Sequence, residues 1–314
     1  MKQGQTTITL KVSEETKKKM IDFFEDLKRE KTPPYAIFQA IDGETVVTLY
    51  ESGKAVFQGK DADLSSDFWI ATEKINSGKA ETTNSNDKKK EDKKEKVIPL
   101  RISSIGSDEV GTGDYFGPIV VTASYVSKDN VDFLIDLGVK DSKKMTDVQI
   151  MKIVPEIIKK IPYKTFILSN LEYNNYYGNN MNMNKIKAIL HNKVLYEIKS
   201  QGYNYDYIVV DQFEYPKAYY SHIKDSTRQV NDIFFLTKAE DQCLSVACAS
   251  MISRYIFIKQ MEKLSLDLKI NIPKGASDKV DEIGKKIVSL YGYDKLKQIA
   301  KLNFKNTEKI LKEE

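Results

Sequence analysis

From Gly78 to Lys96 the chain is almost without apolar residues, and it closes on Asp-Lys-Lys-Lys-Glu-Asp-Lys-Lys-Glu-Lys. Such a stretch has no surface to bury against the cost of ordering its backbone, so it predicts disorder or a solvated helix. No single core can run through it, and 314 residues suffice for two domains of ordinary size. The reading is therefore one domain over 1–76, a charged flexible linker over 77–97, and a larger domain over 98–314. Solvation is the plain role of the linker, although its lysines would add a weak, salt-sensitive attraction to phosphates.

In the first part, Thr6 to Val12 alternates as a strand with Ile8, Leu10 and Val12 on one face. Ser13 before Glu14-Glu15 predicts a capped helix start, with Met20, Ile21, Phe24 and Leu27 as the apolar stripe and Pro33-Pro34 as its end. Three short strands follow at Tyr35 to Ile41, Thr45 to Tyr50 and Lys54 to Gln58, with turns at Asp42-Gly43 and Ser52-Gly53. The pattern is a small β-α-β-β-β unit.

The second part predicts strands at Leu100 to Asp108, Ile119 to Val126, Tyr163 to Ser169 and Asp206 to Gln212. Helices are predicted at Thr146 to Lys160, Met183 to Lys199, Glu240 to Lys263, Asp278 to Tyr291 and Tyr293 to Lys301. Strands come early and alternate with helices later, which reads as α/β around one mixed sheet with flanking helices.

The chemistry centres on Ser107-Asp-Glu-Val-Gly-Thr-Gly-Asp-Tyr-Phe-Gly-Pro118. Asp108 and Glu109 sit where an apolar segment breaks into a glycine-rich turn. Carboxylates at a strand end suit hard divalent cations, and glycines let a backbone approach a phosphate. Asp211 ends the buried-strand pattern in Tyr205-Asp-Tyr-Ile-Val-Val-Asp-Gln-Phe213, and Glu240 stands at the expected start of a helix packed through Ala247, Ala249 and Ser250. Each acid alone is more often a plain charge, and Glu240 alone reads best as a helix-dipole partner. Three segments that each place an acid beside a turn or helix start change that balance. Two ions about 4 Å apart would position a water and stabilise a leaving oxygen.

Other chemistries fit poorly. Two histidines, His191 and His222, are too few for His-rich zinc chemistry, and no Gly-x-Ser-x-Gly elbow, Rossmann fingerprint or P-loop occurs. The two cysteines, Cys243 and Cys248, form no zinc pair, and such low usage fits a reducing cytoplasm. No segment is long and apolar enough to span a membrane. The net charge of +4 does not by itself announce nucleic acid.

These residues resemble the type 2 ribonucleases H. Gly138-Val-Lys-Asp-Ser-Lys-Lys-Met145, Asn182-Met-Asn-Lys-Ile-Lys-Ala-Ile-Leu-His-Asn192, Thr237-Lys-Ala-Glu240, Ile272-Pro-Lys-Gly-Ala-Ser277 and Ala300-Lys-Leu-Asn-Phe-Lys-Asn-Thr-Glu-Lys309 resemble its bacterial ribonuclease HIII branch. The matches run in the family's order from about Ser103 to Lys309. The resemblance implies an RNase H-like catalytic domain over 98–314. It implies endonucleolytic cleavage of the RNA strand of RNA–DNA hybrids, leaving 5′-phosphate and 3′-hydroxyl ends. Its four acids map onto Asp108, Glu109, Asp211 and Glu240, as catalytic residues and as ligands of Mg2+ or Mn2+, with two ions when substrate is bound. Asp241 is adjacent to the fourth acid, but the motif favours Glu240. The early unit is then similar to half of the TATA-box-binding-protein fold and grips the hybrid.

Substrate contacts are expected at Gly111, Thr112 and Gly113, Ser142 and Lys143, Asn184 and Lys185, and Lys54 and Phe57. Each has a plain alternative: a bare turn, an N-cap at Ser142 or Asn184, a core place for Phe57, an edge charge at Lys54. His191 reads as packed or hydrogen-bonded, and the tyrosines at 173, 176, 177, 203, 205 and 207 read as packing. Thr112 departs from the charged residue common in the sister HII branch, and Asn303 stands where a histidine is common. A monomer is expected. The rival readings are an HII-type enzyme for single embedded ribonucleotides and a non-catalytic hybrid-binding protein.

Overall fold

The computed structural model describes residues 6–42, 45–59, 62–79, 81–84, 99–139, 142, 145–178 and 181–312. The chain divides into two units, Met1–Glu95 and Lys96–Glu314.

In the first unit, β1 (Thr6–Lys11) leads into α1 (Glu14–Phe23), whose cap is Ser13: its hydroxyl accepts from the Thr16 amide. Helix α1 stops at Phe23, well before the prolines at 33 and 34 that were expected to end it, and runs into a 3-10 turn at Glu25–Leu27. Strands β2 (Ala36–Asp42), β3 (Thr45–Tyr50) and β4 (Lys54–Gly59) follow, then α2 (Ala62–Ser77) and β5 (Glu81–Asn84). The sheet order is β2-β3-β4-β1-β5, with every pair antiparallel. Leu10, Met20, Phe24, Phe38, Phe57 and Trp69 are fully buried and form its core.

Two features here go beyond the sequence reading. Helix α2 supplies Trp69 to the core, and β5 lies inside the segment expected as linker. Its sequence, Glu-Thr-Thr-Asn, has no apolar residue, and it is placed by the backbone ladder that pairs Ile8–Lys11 with Asn84–Glu81. The rest of the expected linker, 85–97, lies outside the described residues.

In the second unit the strands are β6 (Ser104–Val110), β7 (Ile119–Val126), β8 (Tyr163–Leu168), β9 (Tyr207–Asp211) and β10 (Ile233–Leu236). Between and after them come α3 (Val131–Asp136), α4 (Asp147–Lys160), α5 (Asn170–Tyr176), α6 (Met183–Lys199), α7 (Pro216–His222), α8 (Leu244–Leu268), α9 (Asp278–Tyr291), α10 (Tyr293–Ile299) and α11 (Lys305–Leu311). The sheet order is β10-β9-β6-β7-β8; β6 pairs parallel with β9 and antiparallel with β7, so the sheet is mixed as expected.

Helices cover both faces. Helix α6 packs Ile186, Leu190, Val194 and Leu195 with Ile105, Val121 and Ile208 of the strands. Helix α8 lies so close to β6 that a Cβ on Gly106 would sit 2.5 Å from both the Ser245 hydroxyl and the Val246 amide nitrogen. Only glycine allows that approach. Small buried residues on α8, among them Ala247, Ala249 and Ser250, complete the close contact. Among the described residues no helix is long and apolar enough to cross a membrane.

Candidate active site

The parallel pairing of β6 with β9 sets the site. Ser107 lies opposite Val210, so the next residues, Asp108 and Asp211, leave the paired region side by side at one end of the sheet. Asp211 is also the last partner on β10, opposite Leu236. Beyond β10 the chain turns through Lys238, which takes a left-handed conformation, into a 3-10 turn at Ala239–Asp241. Asp211 Oδ1 accepts from the Ala239 amide at 2.9 Å, and this ties the turn to the strand end. Glu240 follows directly and is 7% exposed, whereas Asp241 faces solvent. Helix α8 begins only at Leu244, so Glu240 stands on a separate turn and not on the first turn of a long helix.

Asp108 is buried, its Oδ1 accepts from the Glu109 amide at 2.8 Å, and the Ser253 hydroxyl donates to its carbonyl at 3.2 Å. Burial, followed by the charge of Glu109, pushes its carboxyl well above the usual carboxylate range. The Asp211 charge adds to that push, and a hydrogen bond from Ser250 opposes it.

Glu109 is held the other way. Lys187 Nζ donates to Oε1 at 2.6 Å, and His191 Nε2 donates to Oε2 at 2.9 Å. Burial works against its charge, yet Lys187 and His191 outweigh burial and hold the carboxyl well below its ordinary value. His191 is fully buried on α6, its Nδ1 lies 2.8 Å from the Ser107 hydroxyl, and its ring stacks on Phe213. Nε2 thus carries the proton given to Glu109, and Nδ1 faces the Ser107 hydroxyl. The expectation of a packed, hydrogen-bonded histidine is correct as far as it goes. What it lacks is the partner, the second acid of the doublet.

The structure therefore brings Asp108, Glu109 and Asp211 to one strand end and places Glu240 beside the residue that Asp211 binds. Among the described residues no group of three or more His, Cys, Asp or Glu side chains stands as a ready-made metal cage. Glu109 is turned onto Lys187 and His191, and Asp211 Oδ1 is engaged with the Ala239 amide. The donor set nevertheless fits a hard divalent cation. Oxygen ligands dominate, and the cost that burial and two neighbouring carboxylates impose on Asp108 is one that a dication relieves.

The glycine loop leaves β6 at once. Gly111 has φ +99°, and a Cβ there would lie 2.2 Å from the Pro118 carbonyl oxygen, so the turn requires glycine. Gly113 is exposed and opens on space, with Thr112 half-buried beside it. The base of the loop is stapled from within: Lys301 Nζ donates to the carbonyls of Asp114 and Gly117 at 2.7 and 2.6 Å.

The other expected substrate contacts lie in unlike surroundings. Ser142 is buried, and its hydroxyl bonds Ser250 at 2.8 Å while Arg254 binds its carbonyl, so that side chain is turned into the unit. Lys143 lies outside the described residues. The cap of α6 is Asn182, whose side chain accepts from the Lys185 amide at 2.9 Å; Asn184 and Lys185 are half-buried in the first turn. Phe57 is core, buried in the cluster that also holds Phe24 and Trp69, while Lys54 and Gln58 of the same strand are exposed. Asn303 accepts from the Tyr173 hydroxyl at 2.9 Å, a structural contact.

The sequence reading missed Lys187 as a partner of Glu109 and missed Lys301 altogether. The i,i+4 spacing of Lys187 and His191 signals a shared helix face, although it does not say what that face meets.

The comparisons with known proteins follow this geometry. The family model described as Ribonuclease HII matches residues 105–307, and a domain of unknown function matches residues 7–82. Ribonuclease HIII of Bacillus licheniformis is 41% identical over 285 residues, covering 87% of this chain and 88% of that protein. Ribonuclease HIII of Lactococcus lactis is 36% identical, covering 97% and 98%. The crystal structure of Bst-RNase HIII in complex with Mn2+ is similar with a TM-score of 0.67 at 35% identity, covering 97% of this chain and 98% of that one. This chain belongs to the ribonuclease HIII branch of the type 2 ribonuclease H family, endoribonucleases that cleave the RNA strand of RNA–DNA hybrids.

Proposed function

We propose that Asp108, Glu109, Asp211 and Glu240 are the catalytic acids and hold Mg2+ or Mn2+, two ions when the hybrid is bound. The observation that carries the reading is Asp108, a buried carboxylate opposed by the charges of Glu109 and Asp211 at the end of parallel strands. When bound, the cations supply the charge that activates an attacking water and steadies the leaving 3′ oxygen. The products are a 5′-phosphate and a 3′-hydroxyl.

The chain's own groups orient the strand. The open backbone at Gly111, Thr112 and Gly113 receives the sugar-phosphate chain next to the acids, with the Thr112 hydroxyl available to a 2′-hydroxyl. The first turn of α6, with Asn184 and Lys185, and the exposed Lys54 on the first unit add phosphate contacts. The first unit serves as a hybrid grip, and the enzyme works as a monomer in the cytoplasm, in keeping with two buried, unbridged cysteines.

The test is end-labelled RNA–DNA hybrid incubated with and without Mg2+, with the fragments sized. Wild type cuts the RNA strand only with the ion. Asp108→Asn binds the hybrid but does not cut it, and normal turnover by that variant would refute the assignment. A duplex with a single embedded ribonucleotide, run alongside, is cut less well than the long hybrid.

A further inference from the structure

Both carboxylate oxygens of Glu109 are engaged, and by groups of different mobility. His191 is fully buried, fixed by Ser107 on one side and by the Phe213 ring, 5.3 Å between centroids, on the other. It holds Oε2 from a place it cannot leave without repacking. Lys187 holds Oε1 from the end of a four-carbon stem, its side chain 12% exposed and its ammonium 4.0 Å from the centre of the same Phe213 ring. Helix α6 sets both residues one turn apart, anchored in the core by Ile186 and Leu190.

An ammonium 2.6 Å from Oε1 occupies the position that a cation bound to that oxygen would approach. Two positive charges a few ångströms apart beside a largely buried carboxylate repel strongly. A dication that takes Oε1 must therefore move Lys187 aside, whereas His191 can stay on Oε2.

We propose that Lys187 is a built-in counter-cation that competes with the divalent ion for Glu109 and so sets how tightly the enzyme takes that ion up. The inference rests on the reading of Glu109 as a metal ligand. Lys187 is a positioning residue: it keeps Glu109 aimed, and it makes the ion displace a charge to bind. His191 retains the orientation of the carboxylate throughout.

The experiment is calorimetric titration of Mn2+ into the full chain, without hybrid, for wild type, Lys187→Met, Lys187→Arg and Glu109→Gln, with a thermal melt of each. Lys187→Met is expected to bind Mn2+ more tightly than wild type, by about tenfold, the order of one charge-assisted contact. Lys187→Arg keeps the competing charge and stays near wild type. Lys187→Gln serves the same comparison should the methionine variant fail to fold. Equal or weaker Mn2+ binding by the neutral variants, with Glu109→Gln impaired, overturns the competition. Undiminished binding by Glu109→Gln instead removes Glu109 from the ligand set, and the competition falls with it.

Discussion

Lys301 offers the sharpest test of the forces that hold the glycine loop. It is fully buried, yet it carries an amine whose ordinary pKa is 10.5. Burial pulls that value down to about 7, and the charge of Asp114 opposes the pull only in part. In the unfolded chain the amine keeps its ordinary value. Between pH 7 and 10.5 the unfolded state then binds one more proton than the folded state, so stability rises with pH across that window. The slope is about 1.4 kcal/mol per pH unit. From pH 7 to 9 the gain is roughly 2 kcal/mol, since the slope is only half developed at the folded pKa, and well below pH 7 this group contributes no slope.

Lys301→Met removes the titration and leaves the apolar stem. It also deprives the Asp114 and Gly117 carbonyls of a donor, at about 1–3 kcal/mol each, a cost that enters as an offset and not as a slope. The measurement is urea unfolding of wild type and variant at pH 6, 7, 8 and 9, followed by circular dichroism. The single tryptophan, Trp69, lies in the core of the first unit, so its fluorescence reports that unit separately and should not change with the substitution. The wild-type advantage is expected to be nearly flat from pH 6 to 7 and then to widen by roughly 2 kcal/mol towards pH 9. A constant difference across the whole range would refute the reasoning. It would mean that two carbonyls and Asp114 keep the ammonium charged in spite of its burial.

Phe57→Ala should cost about 3–5 kcal/mol, read from the Trp69 fluorescence transition, because it empties the centre of the first unit. Lys54→Ala on the same strand should stay within about 0.5 kcal/mol and weaken hybrid binding in an anisotropy titration instead. Gly106→Ala should destabilise the second unit by about 1–3 kcal/mol, measured by circular dichroism, since its Cβ meets the backbone of α8 as closely as it meets the Ser245 hydroxyl.

What could be read in the chain follows the range of the forces involved. Strand β7 and helices α6 and α9 carry their own apolar pattern, and their limits match the spacing closely. Strand β5 has no such pattern and is placed by a partner some seventy residues away in the chain, which no local window contains. Strand β10 is only Ile-Phe-Phe-Leu, short enough to be lost beside the polar residues around it. The turn at Ala239–Asp241 depends on an Asp211 hydrogen bond across 28 positions, so helical spacing alone ran the helix back to Glu240.

The acids divide along the same line. The placement of Asp108, Glu109 and Asp211 near the ends of their strands was legible, since each stands where an apolar segment breaks towards a turn. Their unequal electrostatics were not legible. The pairing of β6 with β9 crowds charge around Asp108, while α6, some 80 residues further on, delivers an ammonium and an imidazole to Glu109 and to no other carboxylate described here. Adjacent residues on one strand point to opposite faces of the sheet. The doublet is thus two environments joined by one peptide bond: Asp108 meets Ser250 and Ser253 of α8, and Glu109 meets the ammonium and the imidazole of α6. One acid is opposed as a charge and the other is supported as one, so a dication held by these acids would relieve the repulsion at Asp108 and would compete with the Lys187 contact at Glu109.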